Sequence, residues 1–301
     1  MSFINEIKHI CENIGCEFQT DVPMSGYTSF KIGGNASVMV FPDTEEKLAD
    51  IIEYCNEKSV KKLLLGKGSN MLVSDDGFAG VVINTCNLDK IELIDETTIF
   101  CQSGAPLIRL CRFALENGLT GLEFAYGIPG TAGGAAYMNA GAYGGEMKDV
   151  LIKCGHITPD AEKGFYEDSE LDLSYRHSVY SKKDYVITSL TLKLEKGDKT
   201  AIKAKMDELM AKRIDKQPLD YPSAGSTFKR PEGYFAGALI EQCNLKGFSV
   251  GGAQVSEKHA GFVINKGGAT ACDVMNLIDH CRKVVSEKTG VTLEPEVEII
   301  K

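Results

Sequence analysis

Hydrophobic positions recur at the three- and four-residue spacing of a helix in five parts of the chain. The predicted helices cover residues 3–14, 43–55, 106–117, 201–214 and 270–289. We expect Asp43 to be the N-cap of the second helix, because Glu46 follows three residues later as in a capping box. Thr270 is the predicted start of the last helix and Gly290 its end. On the fourth helix, one predicted face carries Ile202, Met206, Leu209 and Arg213.

Short apolar or alternating runs predict strands between these helices. They cover residues 61–66, 80–84, 90–94, 98–102, 149–154, 184–194 and 292–300. The last run alternates, so we expect one face to carry Leu293, Val297 and Ile299, and the other to carry Glu294, Glu296 and Glu298. This order of elements predicts a mixed α/β (α+β) chain in three parts. The parts cover residues 1–75, 76–196 and 197–301, with the second break near the charged turn at 195–200.

Composition narrows the class of protein. The 301 residues carry a formal net charge of -9, which argues against binding to nucleic acid or to an anionic membrane, because both partners need a basic face. No apolar run approaches the ~20 residues that span a bilayer, and the first residues do not resemble a signal peptide. Ten cysteines without a C-x-x-C pair indicate reduced thiols rather than a disulfide framework or a metal site. We therefore expect a cytoplasmic protein.

Two stretches are rich in glycine. The first glycine segment (residues 66–71, "GKGSNM") follows a predicted strand, but it matches neither a Walker motif nor a full dinucleotide fingerprint. The second glycine segment (residues 127–146, "GIPGTAGGAAYMNAGAYGGE") holds seven glycines, five alanines and one charge. Glycine lets backbone N–H groups approach a phosphate, but small residues also serve close packing. We favour a ligand, because packing alone does not require seven glycines.

A family resemblance covers nearly the whole chain. The segments "TSFKIGGNA", "GKGSNMLVSDDGF", "GLEFAYGIPGTAGGAAYMNAGAYGGE", "SYRHS", "PSAGSTFK" and "LEPEVEII" occur in this order and resemble the UDP-N-acetylenolpyruvoylglucosamine reductase family. The resemblance implies an FAD-binding fold of the vanillyl-alcohol-oxidase/PCMH type in the first two parts and a substrate domain in the third. It implies FAD contacts at Gly66, Lys67, Gly68, Ser69, Asn70, Met71, Gly127, Ile128, Pro129, Gly130, Thr131, Gly133, Gly134, Ala135, Asn139, Gly141 and Ala142.

The resemblance also implies a reaction. NADPH reduces FAD, and flavin N5 then gives hydride to C3 of the enolpyruvyl group of UDP-N-acetylglucosamine enolpyruvate, which yields UDP-N-acetylmuramate for peptidoglycan. Arg176 is the implied stabiliser of the negative charge, Ser226 the proton donor to C2, and Glu296 the catalytic carboxylate. The implied substrate contacts are Tyr175, Lys216, Arg230 and His259. The short third part resembles the subtype that lacks a tyrosine-bearing closing loop, and we expect a monomer.

Simpler roles remain open for the three implied catalytic residues. Arg176 could form a surface ion pair, Ser226 could be a turn residue, and Glu296 could belong to a solvated acidic face. Two other classes of protein also remain open. One is a different FAD-dependent oxidase or dehydrogenase on the same fold, and the other is a flavin-binding module without turnover.

Overall fold

The computed structural model describes residues 2–301. Its helices are α1 Phe3–Ile14, α2 Glu45–Glu57, α3 Leu107–Glu116, α4 Ala132–Tyr137, α5 Lys199–Lys216, α6 Ala236–Gln242 and α7 Ala271–Thr289. Its strands are β1 Glu17–Pro23, β2 Asn35–Phe41, β3 Lys62–Leu65, β4 Met71–Val73, β5 Phe78–Asn84, β6 Ile91–Leu93, β7 Thr98–Gln102, β8 Leu119–Thr120, β9 Gly141–Ala142, β10 Gly145–Glu146, β11 Leu151–Ile157, β12 Lys163–Glu167, β13 Val186–Lys193, β14 Glu195–Lys196, β15 Ser249–Val250, β16 Ala253–Val255, β17 Val263–Asn265 and β18 Glu298–Ile300.

The chain groups into two compact units. The first unit contains Met1–Thr20, Val38–Gly66 and Gly80–Arg213, and the second contains Asp21–Ser37, Lys67–Ala79 and Ile214–Lys301. The division into residues 1–75, 76–196 and 197–301 stays a prediction about domains.

The first unit is built on two larger sheets. One has the strand order β1-β2-β5-β3, with β3 parallel to β5, and most residues of its strands belong to this unit. The other is a five-stranded antiparallel sheet with the order β12-β11-β13-β7-β6. Each sheet has its own apolar core. The helices α1 and α2 contribute to the first core, and α3 contributes to the second together with the buried face of α5.

The start of α2 corrects one sequence expectation. Thr44, not Asp43, is the N-cap, and its hydroxyl accepts a hydrogen bond from the backbone N–H of Lys47. Asp43 instead forms an ion pair with the Lys47 side chain at 2.8 Å, one turn along the chain. Both residue types can cap a helix, so the pattern alone could not distinguish two neighbouring candidates.

The second unit packs α6 and α7 against the antiparallel sheet β15-β16-β17. The predicted ends of α7 are confirmed. Thr270 and Asp273 form a capping box, and Gly290 ends the helix in a left-handed conformation with φ of 75°. The capping box and the terminal glycine each provide hydrogen bonds to backbone groups that have no partner within the helix.

The run at residues 292–300 differs from its predicted alternation. Leu293 and Val297 are buried as expected, but the regular strand β18 begins only at Glu298 and pairs in parallel with β4. Ile299 is 39% exposed, and burial raises the pKa of Glu298. The prediction for Ile299 was therefore wrong. The run is not one continuous strand, so a single two-residue period cannot hold along it.

Eight of the ten cysteines are buried, and several contribute to the apolar cores of both units. No helix formed by residues 2–301 combines the length and the hydrophobicity needed to cross a bilayer.

Candidate functional site

The first unit brings parts of the two glycine segments together. Gly66 directly follows β3, and a Cβ on this residue would lie 2.7 Å from Oγ1 of Thr131. Thr131 is the N-cap of α4, where its hydroxyl accepts the N–H of Gly134 at 3.2 Å. No side chain larger than hydrogen fits at residue 66 without displacing Thr131.

Close packing explains more of the second glycine segment than the sequence indicated. An added Cβ would lie within 3.0 Å of a neighbouring atom at four positions, which are Gly127, Gly133, Gly141 and Gly145. Gly130 and Gly144 adopt positive φ angles of 138° and 90°. Internal geometry thus accounts for six of the seven glycines, four through close packing and two through their backbone angle. Only Gly134 combines an exposed position, an ordinary backbone angle and open space around its missing side chain.

A buried asparagine ties the second glycine segment to the predicted catalytic arginine. Asn139 is 1% exposed, and its amide donates to Glu146 at 2.7 Å and to the carbonyl of Ser174 at 3.0 Å. Its side-chain oxygen accepts the N–H of Lys148 at 2.8 Å. Because Ser174 lies two residues before Arg176, Asn139 fixes the start of the arginine turn relative to the glycine segment.

Arg176 lies in a tight turn. Ser174 and His177 exchange two backbone hydrogen bonds of 3.1 Å, and Arg176 between them adopts a φ of 53°. This left-handed angle is uncommon for a residue with a side chain, and such angles cluster at functional sites. The half-buried guanidinium lies 5.1 Å from the ring centre of Tyr175, which is 52% exposed.

In the second unit, residues 67–71 are held by backbone contacts. Gly68 has a φ of 56°, and a Cβ on it would lie 2.3 Å from the carbonyl oxygen of Tyr27. The backbone N–H of Ser29 donates to the carbonyl of Gly68 at 3.1 Å, and the Ser29 hydroxyl donates to the carbonyl of Ser223 at 2.6 Å. Ser29 therefore connects the first glycine segment with the loop that leads to Ser226.

Ser226 and Glu296 lie on adjacent segments of the second unit. The N–H of Glu296 donates to the carbonyl of Thr227, the residue after Ser226, at 2.8 Å. Ser226 itself is exposed, follows Gly225 with its φ of 75°, and forms no side-chain hydrogen bond with any residue from 2 to 301. Its hydroxyl thus projects from a loop that a buried neighbour, Thr227, anchors through a bond from the N–H of Val263.

The predicted substrate contacts have different surroundings. Lys216 and Arg230 are exposed, and the Arg230 guanidinium lies 3.9 Å from the ring centre of Phe235. His259 is half-buried, accepts the N–H of Gly261 at its Nδ1 atom at 3.1 Å, and has its pKa lowered by burial. A neutral His259 at neutral pH can serve as a hydrogen-bond partner but not as a counterion.

The geometry separates the predicted residues into two groups. The first unit holds Gly66, the second glycine segment, Tyr175 and Arg176, and the second holds residues 67–71, Lys216, Ser226, Arg230, His259 and Glu296.

Sequence reasoning did not identify Ser29, whose only signal was its place in the motif "TSFKIGGNA". It also missed Asp75, whose carboxylate accepts the N–H groups of Ala271 and Cys272 at the start of α7.

The second glycine segment fits a dinucleotide cofactor. Gly66 and Gly68 are required by packing, because a Cβ there would meet Thr131 and Tyr27, whereas the backbone at Gly134 is exposed and leaves room for an approaching group. Exposed backbone of this kind admits the close approach of a pyrophosphate group.

Comparison with known proteins agrees with this geometry. A family profile described as "FAD binding domain" matches residues 36–162, and one described as "UDP-N-acetylenolpyruvoylglucosamine reductase, C-terminal domain" matches residues 217–300. UDP-N-acetylenolpyruvoylglucosamine reductase of Caldanaerobacter subterraneus is 49% identical over 92% of both chains. The Clostridium perfringens protein of the same name is 50% identical over 94% of this chain and 93% of its own.

A solved structure extends the similarity to the fold. The crystal structure of UDP-N-acetylenolpyruvylglucosamine reductase from Thermus caldophilus superimposes with a TM-score of 0.80 at 33% identity, covering 95% of this chain and 99% of that one. These matches define the protein as an FAD-dependent oxidoreductase with an FAD-binding domain and a C-terminal α+β domain. It belongs to the UDP-N-acetylenolpyruvoylglucosamine reductase family. The predicted family, fold class and flavin cofactor are confirmed.

Proposed function

We propose that the protein reduces the enolpyruvyl group of UDP-N-acetylglucosamine enolpyruvate to give UDP-N-acetylmuramate. NADPH is the proposed hydride donor, and the proposed setting is peptidoglycan synthesis in the cytoplasm. The observation that carries the proposal is the 2.8 Å bond from the Glu296 N–H to the Thr227 carbonyl. This bond supports a shared role for Ser226 and Glu296, because it fixes the two segments that bear them side by side.

The proposed FAD contacts are the residues of the two glycine segments named above. When bound, FAD supplies hydride transfer, taking hydride from NADPH and giving it to C3 of the enolpyruvyl group, which no amino-acid side chain can do. The chain's own task is to hold the reactants in place and to stabilise the charge that develops. The exposed backbone at Gly134, with room beside it, supports this assignment.

Arg176 is the proposed partner of the substrate carboxylate. Negative charge builds at C2 of the substrate and spreads into the attached carboxylate. A guanidinium can bind that carboxylate through two parallel N–H bonds and keeps its charge at every physiological pH. The rare backbone angle at Arg176 supports a functional rather than an incidental placement.

Ser226 is the proposed donor of the proton to C2. A serine hydroxyl is a weak acid, so it can serve only against a strongly basic carbon shielded from water. Its exposed position and its lack of hydrogen-bond partners among residues 2–301 leave the hydroxyl available to a substrate. Glu296 is the proposed catalytic carboxylate beside it.

The proposed substrate contacts are Tyr175, Lys216, Arg230 and His259. Two cations among them suit the diphosphate and carboxylate of a nucleotide sugar. We also propose that residues 1–75 and 76–196 form two FAD-binding subdomains, that residues 197–301 bind the substrate, and that the protein acts as a monomer.

An anaerobic spectroscopic titration tests the proposal. We expect the purified protein to be yellow, to lose its flavin absorbance on addition of NADPH, and to regain it on addition of the enolpyruvyl nucleotide. Loss of colour with a simple alcohol or sugar, without NADPH, would instead indicate a different oxidase of the same fold. A yellow protein whose flavin is neither reduced by NADPH nor reoxidised by the enolpyruvyl nucleotide would indicate a flavin-binding module without turnover. The mass of the nucleotide product identifies the reaction independently.

A further inference from the structure

Arg213 lies at the end of the apolar face of α5 in the first unit. Ile202, Met206 and Leu209 on that face are buried. Where the next inward position would take a hydrophobic residue, the chain has an arginine. Its Cδ atom lies 2.9 Å and its Nε atom 3.7 Å from the place where a Cβ on Gly127 would be, and Cε of Met210 lies 3.6 Å from the same point. The arginine side chain therefore packs on the first residue of the second glycine segment.

The guanidinium of Arg213 has no counterion in the described part of the chain. Among residues 2–301, no carboxylate forms an ion pair with it and no oxygen accepts a hydrogen bond from it. Burial lowers its pKa, and the Tyr143 phenol nearby acts in the opposite direction. The preceding residue behaves differently, because the exposed ammonium of Lys212 pairs with Glu208. Of these two neighbouring cations on α5, Lys212 is exposed and paired with a carboxylate, whereas Arg213 is partly buried and has no carboxylate partner among residues 2–301.

An unpaired cation that is partly removed from water costs free energy unless an anion joins it. Gly127 makes this placement possible, because any larger residue there would collide with the arginine stem. The same glycine segment includes Gly134, with its open backbone, and Thr131, which contacts Gly66. The position of Arg213 therefore indicates an anionic ligand at this segment.

We propose that Arg213 is a binding residue for the diphosphate group of a nucleotide held at the second glycine segment. The inference rests on the proposed function, which supplies two such groups, one in FAD and one in the uridine diphosphate of the substrate. Contact with Gly127 makes the FAD diphosphate the expected partner. A guanidinium matches phosphate oxygens with paired N–H donors, whereas an ammonium presents a single charge.

The test compares Arg213→Gln and Arg213→Lys with Lys212→Gln, which removes the same charge one residue away. Equilibrium dialysis of the purified holoprotein against dilute buffer, followed by flavin absorbance, gives FAD affinity. Calorimetric titration of the holoprotein with UDP gives affinity for the other diphosphate. We expect Arg213→Gln to lose roughly tenfold or more in FAD affinity, as for a lost charge-assisted contact, and Lys212→Gln to lose less than about twofold.

Further readouts separate binding from folding. We expect the difference in FAD affinity between the parent protein and Arg213→Gln to shrink as NaCl is raised, because salt screens a charge contact. We expect flavin-free Arg213→Gln to melt no lower than the flavin-free parent, since the arginine has no hydrogen bond or ion pair with residues 2–301 to lose. A normal FAD affinity with weakened UDP binding would assign Arg213 to the substrate diphosphate. Unchanged affinity for both ligands would overturn the proposal. A protein that retains FAD but does not reduce the enolpyruvyl nucleotide would refute the proposed function while leaving the FAD measurement intact.

Discussion

The side-chain amide of Asn70 donates a hydrogen bond to the main-chain carbonyl of Glu296 at 3.0 Å. Two residues further on, the N–H of Glu298 donates to the carbonyl of Asn70 at 2.9 Å. Asn70 thus contacts both sides of a turn that leads into β18. Through it, the first glycine segment directly determines where the backbone of Glu296 lies.

Replacing Asn70 with alanine tests this connection. We expect the free energy of unfolding to fall by about 1 kcal/mol, because the Glu296 carbonyl loses a donor, and we expect turnover to fall with it. Chemical denaturation and steady-state assays give both quantities. Asn276→Ala is the control, since within residues 2–301 this exposed amide forms a side-chain hydrogen bond only with the sulfur of Cys272. A loss in Asn70→Ala no larger than in the control would contradict the coupling.

The glycines at 133 and 134 should respond oppositely to alanine. A Cβ at residue 133 would lie 2.6 Å from Cβ of Ser103, so we expect Gly133→Ala to lose about 1–3 kcal/mol of stability through overpacking. At residue 134 the nearest atom is 3.5 Å away, and alanine favours a helix by up to about 1 kcal/mol over glycine. We expect Gly134→Ala to fold at least as stably as the parent but to retain less FAD. Thermal melting and flavin content measure the two effects, and full flavin content in Gly134→Ala would remove this residue from the proposed site.

Ser226→Ala should separate flavin reduction from substrate reduction. The residue is exposed, so we expect stability to change by less than about 0.5 kcal/mol. We expect NADPH to reduce the flavin at a normal rate, while overall turnover falls by roughly 10², as is typical for loss of a proton-transfer group. Stopped-flow measurement of the two half-reactions provides the comparison. Ser249→Ala, another exposed serine of the second unit, is the control. Near-normal turnover in Ser226→Ala would exclude the proposed proton transfer.

At Arg176, stability and activity should change in opposite directions. Glycine adopts a φ of 53° without the cost of about 1 kcal/mol that a side chain incurs, so we expect Arg176→Gly to gain stability and to lose most turnover. Arg176→Lys should also turn over poorly, because an ammonium cannot form the two parallel bonds. Ala161→Gly is the control, since Ala161 has a φ of 60° in an unrelated turn. We expect this variant to gain similar stability with unchanged turnover, and equal turnover in all three variants would refute the role of Arg176.

Acidification should destabilise the first unit through His156. This side chain is 4% exposed and is surrounded by the rings of Tyr166, Tyr180 and Tyr185. Burial, and then the nearby charge of Lys183, lower its pKa. The unfolded chain, with a histidine pKa of about 6.5, therefore binds more protons as the pH falls through that value. Above a pH of about 6.5, uncharged His156 makes its full contribution to the stability of the folded state. That contribution is lost as the pH falls towards the lower pKa that His156 has in the folded protein.

Denaturation at pH 7.5 and pH 5.5 measures the His156 contribution. We expect the difference in unfolding free energy between the two pH values to shrink in His156→Gln. It should stay the same in His9→Gln, which alters an exposed histidine of α1. Equal pH dependence in all three proteins would show that His156 does not contribute.

Local patterns predicted helices better than they predicted the site. Periodicity located α1, and periodicity together with caps located α7, because these signals lie within a few neighbouring residues. The same rules predicted Asp43 instead of Thr44 as the N-cap of α2, since either residue type can cap a helix. They also placed Ile299 with the buried residues, because the pairing of β18 with β4 depends on a segment far away in the chain.

The glycines show why the site itself was harder to predict. Composition indicated a bare backbone, but only the distances to Ser103, Phe124 and the hairpin of β9 and β10 show which positions packing requires. Arg213 carried a signal in the sequence, as a charge on an apolar helical face. Its lack of a partner became visible only once the neighbours from distant segments were in place.

The parallel pairing of β4 with β18 also affects how the protein is made. Residues 71–73 leave the ribosome early, whereas their strand partners at 298–300 are synthesised much later. Until those later residues are made, the hydrogen-bonding edge of β4 has no strand partner, and an unpaired edge favours association with other nascent chains. The β4–β18 pair can therefore form only after residues 298–300 have been made, and we expect its formation to be sensitive to chaperone supply.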